Sequence, residues 1–249
     1  MKLHLLGVAT AVMIGSASLA YAGDPLVELP AGDKIVGSVA FTTQYYARGL
    51  RQTDEGVPAV QGALEYNHSS GIYIGAWASN VSENVIGTGA GIEIDFSAGY
   101  RGSINTNFTY DVGLIYYYYP GYDGSLDADW VDGKVAAGYD FGFMQTMFTA
   151  LVSPEYQYES GTSVYLAADV TIPIGKSFSV FLHGGRQWID DEVRFGYPDF
   201  FDYSIGVGTN LVGLDLKLQL IGTDLDKNDV PAGSGGEREA IVFTVSKAF

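Results

Sequence analysis

Few residues in this 249-residue chain stand where they could do chemistry together. Glu93 and Asp95 are carboxylates two positions apart. On a strand that spacing puts both on one face. Paired carboxylates can divide general acid and base work on a glycosidic bond, but a polar strand face produces the same pattern. His68 sits in the turn-like NHSSG and His183 in FLHGGRQW. A Ser–His mechanism needs a histidine within hydrogen-bond reach of its nucleophile, and no G-x-S-x-G elbow accompanies either one. Asp224, Asp226 and Asn228 imitate the opening of a calcium loop. The sixth position is Asp229 where glycine is needed, and the twelfth is Gly235 where a bidentate glutamate is needed. Gly206-Val207-Gly208 is a lone G-x-G with no helix pattern after it. The chain has no cysteine, so disulfides and thiolate metal sites are excluded. No cofactor, metal site or catalytic residue is expected. An enzyme acting on membrane lipid, with His183 as its base, is the weaker alternative.

The elements that carry these residues read as strands. Residues 58–67 alternate Val60, Gly62, Leu64 and Tyr66 against Gln61, Ala63 and Glu65. Residues 91–100 set Ile92, Ile94, Phe96, Ala98 and Tyr100 against Glu93, Asp95 and Ser97. Residues 213–222 set Leu214, Leu216, Leu218 and Leu220 against Asp215, Lys217 and Gln219. Period two fixes opposite faces. Twelve such runs are predicted, near 35–47, 58–67, 72–80, 91–100, 108–119, 129–139, 143–154, 162–172, 178–188, 201–210, 213–222 and 238–249. The faces of the third and seventh are ambiguous, which leaves ten or fourteen strands as alternatives. Connections alternate in length. HSSG, RGSINTN, DFG, PIGKS and LV are short, whereas PGYDGSLDA, IDDEVRFGYPDF and TDLDKNDVPAGSGGERE are long and acidic. Outer-membrane barrels have this asymmetry between their two ends.

Composition agrees. The chain carries 29 acidic and 13 basic residues, a formal charge of −16, and only 17% charged residues. That acidity argues against nucleic acid, whose phosphates need a basic surface. Residues 1–22 form an export leader: Lys2, the apolar run LLGVATAVMI, and Ala20-Tyr21-Ala22 as the cleavage site. A short lead-in, 23–34, is expected to precede a single domain at 35–249. The apolar faces are nearly free of charge over about nine to eleven residues, the length of a tilted membrane strand. The exceptions, Arg186, Glu239 and Lys247, fall near strand ends. Tyr45, Tyr46, Tyr100, Tyr116, Tyr118, Tyr139, Trp188, Phe201, Tyr203 and Phe249 fit girdles at two interfaces. The last strand places Ile241, Phe243, Val245 and terminal Phe249 on one face, the pattern of an outer-membrane assembly signal, with Lys247 departing from it. The expected fold is therefore all-β: an antiparallel up-and-down transmembrane barrel of about twelve strands in the outer membrane of a Gram-negative cell. A soluble periplasmic β-protein is the alternative, since a sandwich also has one apolar face per strand.

Residues 41–81, FTTQYYARGLRQTDEGVPAVQGALEYNHSSGIYIGAWASNV, resemble the start of the TorF family of proteobacterial porins. The R-G-x-x-Q-T run, Arg48 to Thr53, is the most specific stretch; Ala59–Gly62, Trp77–Val81, IEIDFSAGY and YDVGLIYYYYPG extend it. The resemblance implies an exported outer-membrane barrel and a channel role, and it carries over no binding residues.

If the apolar faces meet lipid, parity points Glu65, Glu93, Asp95, Asp111, Asp132, Asp169, Asp202 and Asp215 inward, with Lys134, Lys217, Arg238 and His183. A lumen lined mostly by carboxylates attracts cations and repels anions. The expected function is passive diffusion of small solutes, cationic or neutral. The alternative is a closed barrel whose acidic loops bind a partner or divalent cations. Expected partners are outer-membrane lipid and lipopolysaccharide, the barrel assembly machinery and small solutes.

Overall fold

The structure is a computed structural model. It describes residues 12–14, 17–19, 25–29, 32–226, 228–230 and 239–249. The leader expected at 1–22 lies mostly outside them, as does Arg238. Twelve strands follow one another: β1 (Lys34–Thr42), β2 (Ala59–Asn67), β3 (Ile72–Asn80), β4 (Ile92–Ser103), β5 (Phe108–Tyr118), β6 (Trp130–Asp140), β7 (Gln145–Ser153), β8 (Ser163–Ile174), β9 (Phe178–Ile189), β10 (Phe200–Leu211), β11 (Leu214–Thr223) and β12 (Ala240–Ala248). Each pairs antiparallel with its neighbours in sequence, and β12 pairs back onto β1, Thr244 opposite Thr42 and Ala248 opposite Ser38. The expected antiparallel twelve-stranded barrel is thus a closed cylinder. Closure leaves no ladder edge unpaired, which a lipid surround requires.

Two terminal devices secure the seam. Phe249 exchanges both backbone hydrogen bonds with Gly37, at 3.1 and 2.9 Å. Ahead of β1, Val27–Glu28 folds back to pair with Ile35 and Lys34. At the same end Asp33 accepts from the Tyr66 hydroxyl at 2.7 Å and the Ser69 amide at 2.8 Å. Those two donors, the Tyr66 hydroxyl first, hold its carboxyl below the usual range.

The alternation of each strand is realised as outside against inside. Val60, Leu64, Ile74, Phe96, Leu114, Val135, Phe148, Val207 and Ile241 are exposed on the outer wall. The residues between them, such as Gln61, Glu65, Tyr73, Glu93 and Asp132, are buried. The two ambiguous runs are ambiguous because both their faces are apolar. In β3 the inward positions hold Tyr73 and Trp77, and in β7 one holds Leu151, all buried. Tyr100, Tyr116, Tyr118, Tyr139, Trp188, Phe201 and Tyr203 stand on the outside near strand ends. Arg186, the outward cation of β9, lies over the Phe201 ring at 4.4 Å and within 3.7 Å of Asp199. Its charge is therefore met at the rim by an aromatic face and a carboxylate.

The first strand differs from expectation. The run at 35–47 stops at Thr42, and Tyr45 and Tyr46 are not girdle residues but are 2% and 3% exposed. The chain turns inward there and forms a small hairpin, Tyr46–Ala47 against Leu50–Arg51. The turns at 68–71, 104–107, 141–144, 175–177 and 212–213 are short, and the connections at the other end are long. The long ones interlock into a cap. Tyr158 Oη donates to Ile86 O at 2.8 Å, Ser82 N to Gln52 O at 3.0 Å, and Arg194 Nη1 to Glu159 O at 2.7 Å. A one-turn helix, Glu192–Phe195, is capped by Asp191 and buries Phe195 in the cap.

Candidate functional site

The inner wall is divided into three zones. The first is a filled sector on β2 to β6. Arg101 grips Glu65 with two nearly parallel bonds, Nη1 to Oε1 at 2.7 Å and Nη2 to Oε2 at 3.1 Å. Its guanidinium also lies 3.9 Å from the Tyr73 ring centre. Asp111 accepts from Tyr73 Oη at 2.8 Å and from Lys134 Nζ at 2.9 Å. Glu65, Asp111 and Lys134 therefore face inward as expected, but they bond to one another and to Arg101. Bidentate arginine–carboxylate pairing is among the stronger polar contacts.

The second zone is the segment between Thr42 and Ala59, which crosses the lumen. Arg48 and Gly49 form its tip, with φ of +47° and +74°. A side chain at Gly49 would strike the Asp202 Cβ and the Thr223 Cγ2, each at 2.6 Å. Glycine is needed there because the tip rests directly on β10 and β11. Arg48 spans to the wall. It donates to Asp132 through Nη2 and to Gln187 Oε1 at 2.8 Å, and it lies over the rings of Tyr165 at 4.8 Å and Tyr156 at 5.4 Å. Asp132 is fully buried and also receives the Trp130 indole at 3.4 Å.

The third zone is a cavity of about 140 Å³ enclosed between this segment and the wall. Glu93, Asp169, His183, Asp202 and Lys217 line it, among Tyr117, Tyr119, Trp130, Tyr156 and Phe181. His183 Nδ1 lies 2.7 Å from Asp169 Oδ1, and its Nε2 lies 2.8 Å from Asp202 Oδ1. The Tyr165 hydroxyl donates to Asp202 at 3.0 Å. Gly185, opposite Asp202 in register, leaves room for that cluster. Both ring nitrogens of His183 are engaged by carboxylates, so neither is free to take a proton from a nucleophile. Lys217 lies 4.5 Å from the Phe181 ring centre. Asp215 stands near the short-turn mouth, where it accepts from Asn210 at 2.9 Å. A second cavity of about 620 Å³ lies under the loop cap. The two share Leu50, Gln52, Gln157 and Phe195 in their walls, so those side chains form the partition between them.

The described lumen candidates lie on the inward parity of their strands, but together they make no single cluster. Two basic residues are additional. Arg101 occupies the next inward position after Glu93, Asp95, Ser97 and Gly99. Parity would have found it had the strand been carried past residue 100, since β4 runs to Ser103. Arg48 was missed because it follows the 35–47 run, in a connection read as a loop at the barrel end, and that connection folds inside. Ile241 and Phe243 are exposed on the outer wall of β12, as the terminal pattern requires. Among the described residues no group of three or more His, Asp or Glu side chains is arranged to hold a metal ion.

An apolar-walled cylinder around a charged, partly hollow interior is the architecture of porin-type barrels. The chain belongs to the Gcw_chp family, described as bacterial protein of unknown function, whose profile matches residues 29–249. In structure it is similar to the NanC porin, solved in a rhombohedral crystal form, with a TM-score of 0.55 at 8% identity over 86% of this chain and 98% of that one. It is also similar to the KdgM porin, solved in complex with disordered oligogalacturonate, with a TM-score of 0.53 at 5% identity and the same coverage. At such identities the shared property is the fold. No curated protein matches the chain in sequence.

Proposed function

We propose that this chain is an outer-membrane channel that passes small hydrophilic solutes by passive diffusion and favours cations and neutral solutes. The observation that carries the reading is the division of the wall. An apolar exterior, charged only near strand ends, surrounds a lumen in which carboxylates outnumber basic side chains even with Arg48 and Arg101 included. A Lys or Arg on the lipid side of a barrel costs about 2–4 kcal/mol at the bilayer midplane, so such a division is selected where lipid lies outside. Glu65, Glu93, Asp95, Asp111, Asp132, Asp169, Asp202 and Asp215 line the route, with Lys134, Lys217 and His183. Residues 1–22 act as the export leader removed in a Gram-negative cell, 23–34 as a lead-in and 35–249 as the barrel domain. Ile241, Phe243, Val245 and Phe249 address the chain to the assembly machinery. Lipid and lipopolysaccharide surround the finished barrel. Membership of the TorF porins fits the Arg48–Thr53 motif, whose Arg-Gly pair forms the tip of the inserted segment.

Single-channel recording in a planar bilayer tests this. Discrete steps, with a reversal potential of cation sign under a salt gradient, are expected. That preference should fall as salt rises, because screening shortens the reach of the wall charges to about 3 Å at 1 M. Inserted barrels that stay silent would overturn the reading. They would favour the second one, a closed barrel with acidic surface loops that bind a partner or divalent cations. The observation in its favour is that the 43–58 segment and the Glu65–Arg101–Asp111–Lys134 network occupy much of the lumen.

A further inference from the structure

We propose that Glu93 anchors a binding site for a protonated primary amine inside the barrel. The inference rests on the channel reading, for which it names a class of solute. Glu93 is 2% exposed and lines the inner cavity, yet its Oε2 has no hydrogen-bond partner among the described residues. Two positions on, on the same inner face, Asp95 is 0% exposed with neither oxygen partnered among them. Buried polar groups are nearly always satisfied, and buried charges are nearly always paired. The neighbouring cation, Arg48, is committed elsewhere: to Asp132, to Gln187 and to the faces of Tyr165 and Tyr156. The free oxygen on this wall is therefore open to a donor brought by a solute.

The surroundings define its chemistry. A bare divalent ion wants six or more oxygen ligands, and the described residues offer no metal-holding group of carboxylates and histidines. The cavity wall beside Glu93 is aromatic instead. Trp130 stacks on Tyr117 with ring centres 4.0 Å apart and on Tyr119 at 5.9 Å, and all three line the same cavity as Glu93. The hydroxyls of Tyr45 and Tyr119 reach its carboxyl as hydrogen-bond donors, which leaves Oε2 as the open atom. Aromatic faces attract a cation that carries an apolar skeleton. A primary ammonium brings three donors, enough for the free Glu93 oxygen and the adjacent tyrosine oxygens. A quaternary amine would leave that oxygen without a hydrogen. Asp95 shares that inner face two positions on, with both oxygens open to a donor.

The test uses the full barrel in detergent micelles at neutral pH. Propylammonium chloride is titrated against sodium chloride at equal ionic strength, and against propan-1-ol as the uncharged counterpart. Binding is followed by calorimetry and tryptophan fluorescence. Saturable binding of propylammonium alone is expected, weakened at least tenfold in Glu93→Gln. Trp130→Phe, which keeps an aromatic face but a weaker one, should bind more weakly and lose most of the fluorescence change. If Glu93→Gln does not fold, Asp95→Asn serves, with weakening of several-fold expected. No saturable heat in wild type would overturn the proposal. So would equal affinity in the variant that folds, or a matching response to sodium or propanol. Micelle binding needs no open passage. A conducting barrel without binding sinks this site alone, and a binding barrel without conductance sinks the channel reading alone.

Discussion

Asp95 shows most directly what the lumen costs the fold. A fully buried carboxyl with no hydrogen-bond partner among the described residues loses its hydration, and the charge of Arg48 nearby offsets only part of that loss. Leaving such a group unsatisfied costs about 1–3 kcal/mol, and more when it is charged. Asp95→Asn keeps the shape and removes the charge, so its thermal unfolding midpoint in micelles is expected to rise above that of wild type. A fall would mean that Asp95 has a stabilising partner. Added propylammonium should narrow the gap, because a ligand that binds only the folded barrel stabilises it. At this scale the sequence was informative about direction and silent about pairing. Parity sent Glu65 and Glu93 to the same wall, but nothing in it distinguishes Glu65, gripped by Arg101, from Glu93, left open. That difference comes from side chains of separate strands meeting across the lumen, and alternation along one strand does not encode it.

The inserted segment between β1 and β2 is the element that departs most from its pattern. Tyr45, Tyr46 and Leu50 give it the aromatic and apolar content of a strand, and the run from Ile35 to Ala47 alternates well enough to be read as one. Those side chains are apolar because they are buried inside the barrel, not because they face lipid. Arg48 and Gly49 do carry the signal of a turn, since φ above zero favours glycine and costs other L-residues roughly 1–2 kcal/mol. The contact that pins the turn is with Asp202 and Thr223, more than a hundred residues away in sequence. Gly49→Val is expected to push the tip off β10 and β11 and to draw Arg48 away from Asp132. Losing one partner of a buried ion pair costs about 3–5 kcal/mol. The variant should therefore unfold at lower temperature and, if the segment is the constriction, conduct more in each open step. Unchanged conductance with an intact barrel would place the narrowest point elsewhere, at the Leu50–Gln157–Phe195 partition or the Lys217 end.

For the whole molecule, strand number, faces and closure follow from the period of two and from the alternation of short and long connections. Both are properties of the chain written locally. What the long connections fold into was not legible, because their cap is built from contacts between loops. Which end of the cylinder faces outward is a question for the intact cell. The absence of cysteine makes it a clean one. Val193 is 93% exposed on the capped end, and Val212 is 89% exposed in the two-residue turn at the other. Assembly from the periplasm leaves the short turns on that side and carries the long loops across. Val193→Cys should therefore react with a membrane-impermeant maleimide on whole cells. Val212→Cys should react only after the outer membrane is opened. Neither side chain touches the lumen, so labelling reports orientation and not transport. The reverse pattern would invert the barrel, and labelling of both in a membrane-free extract made without detergent would place the chain outside any bilayer.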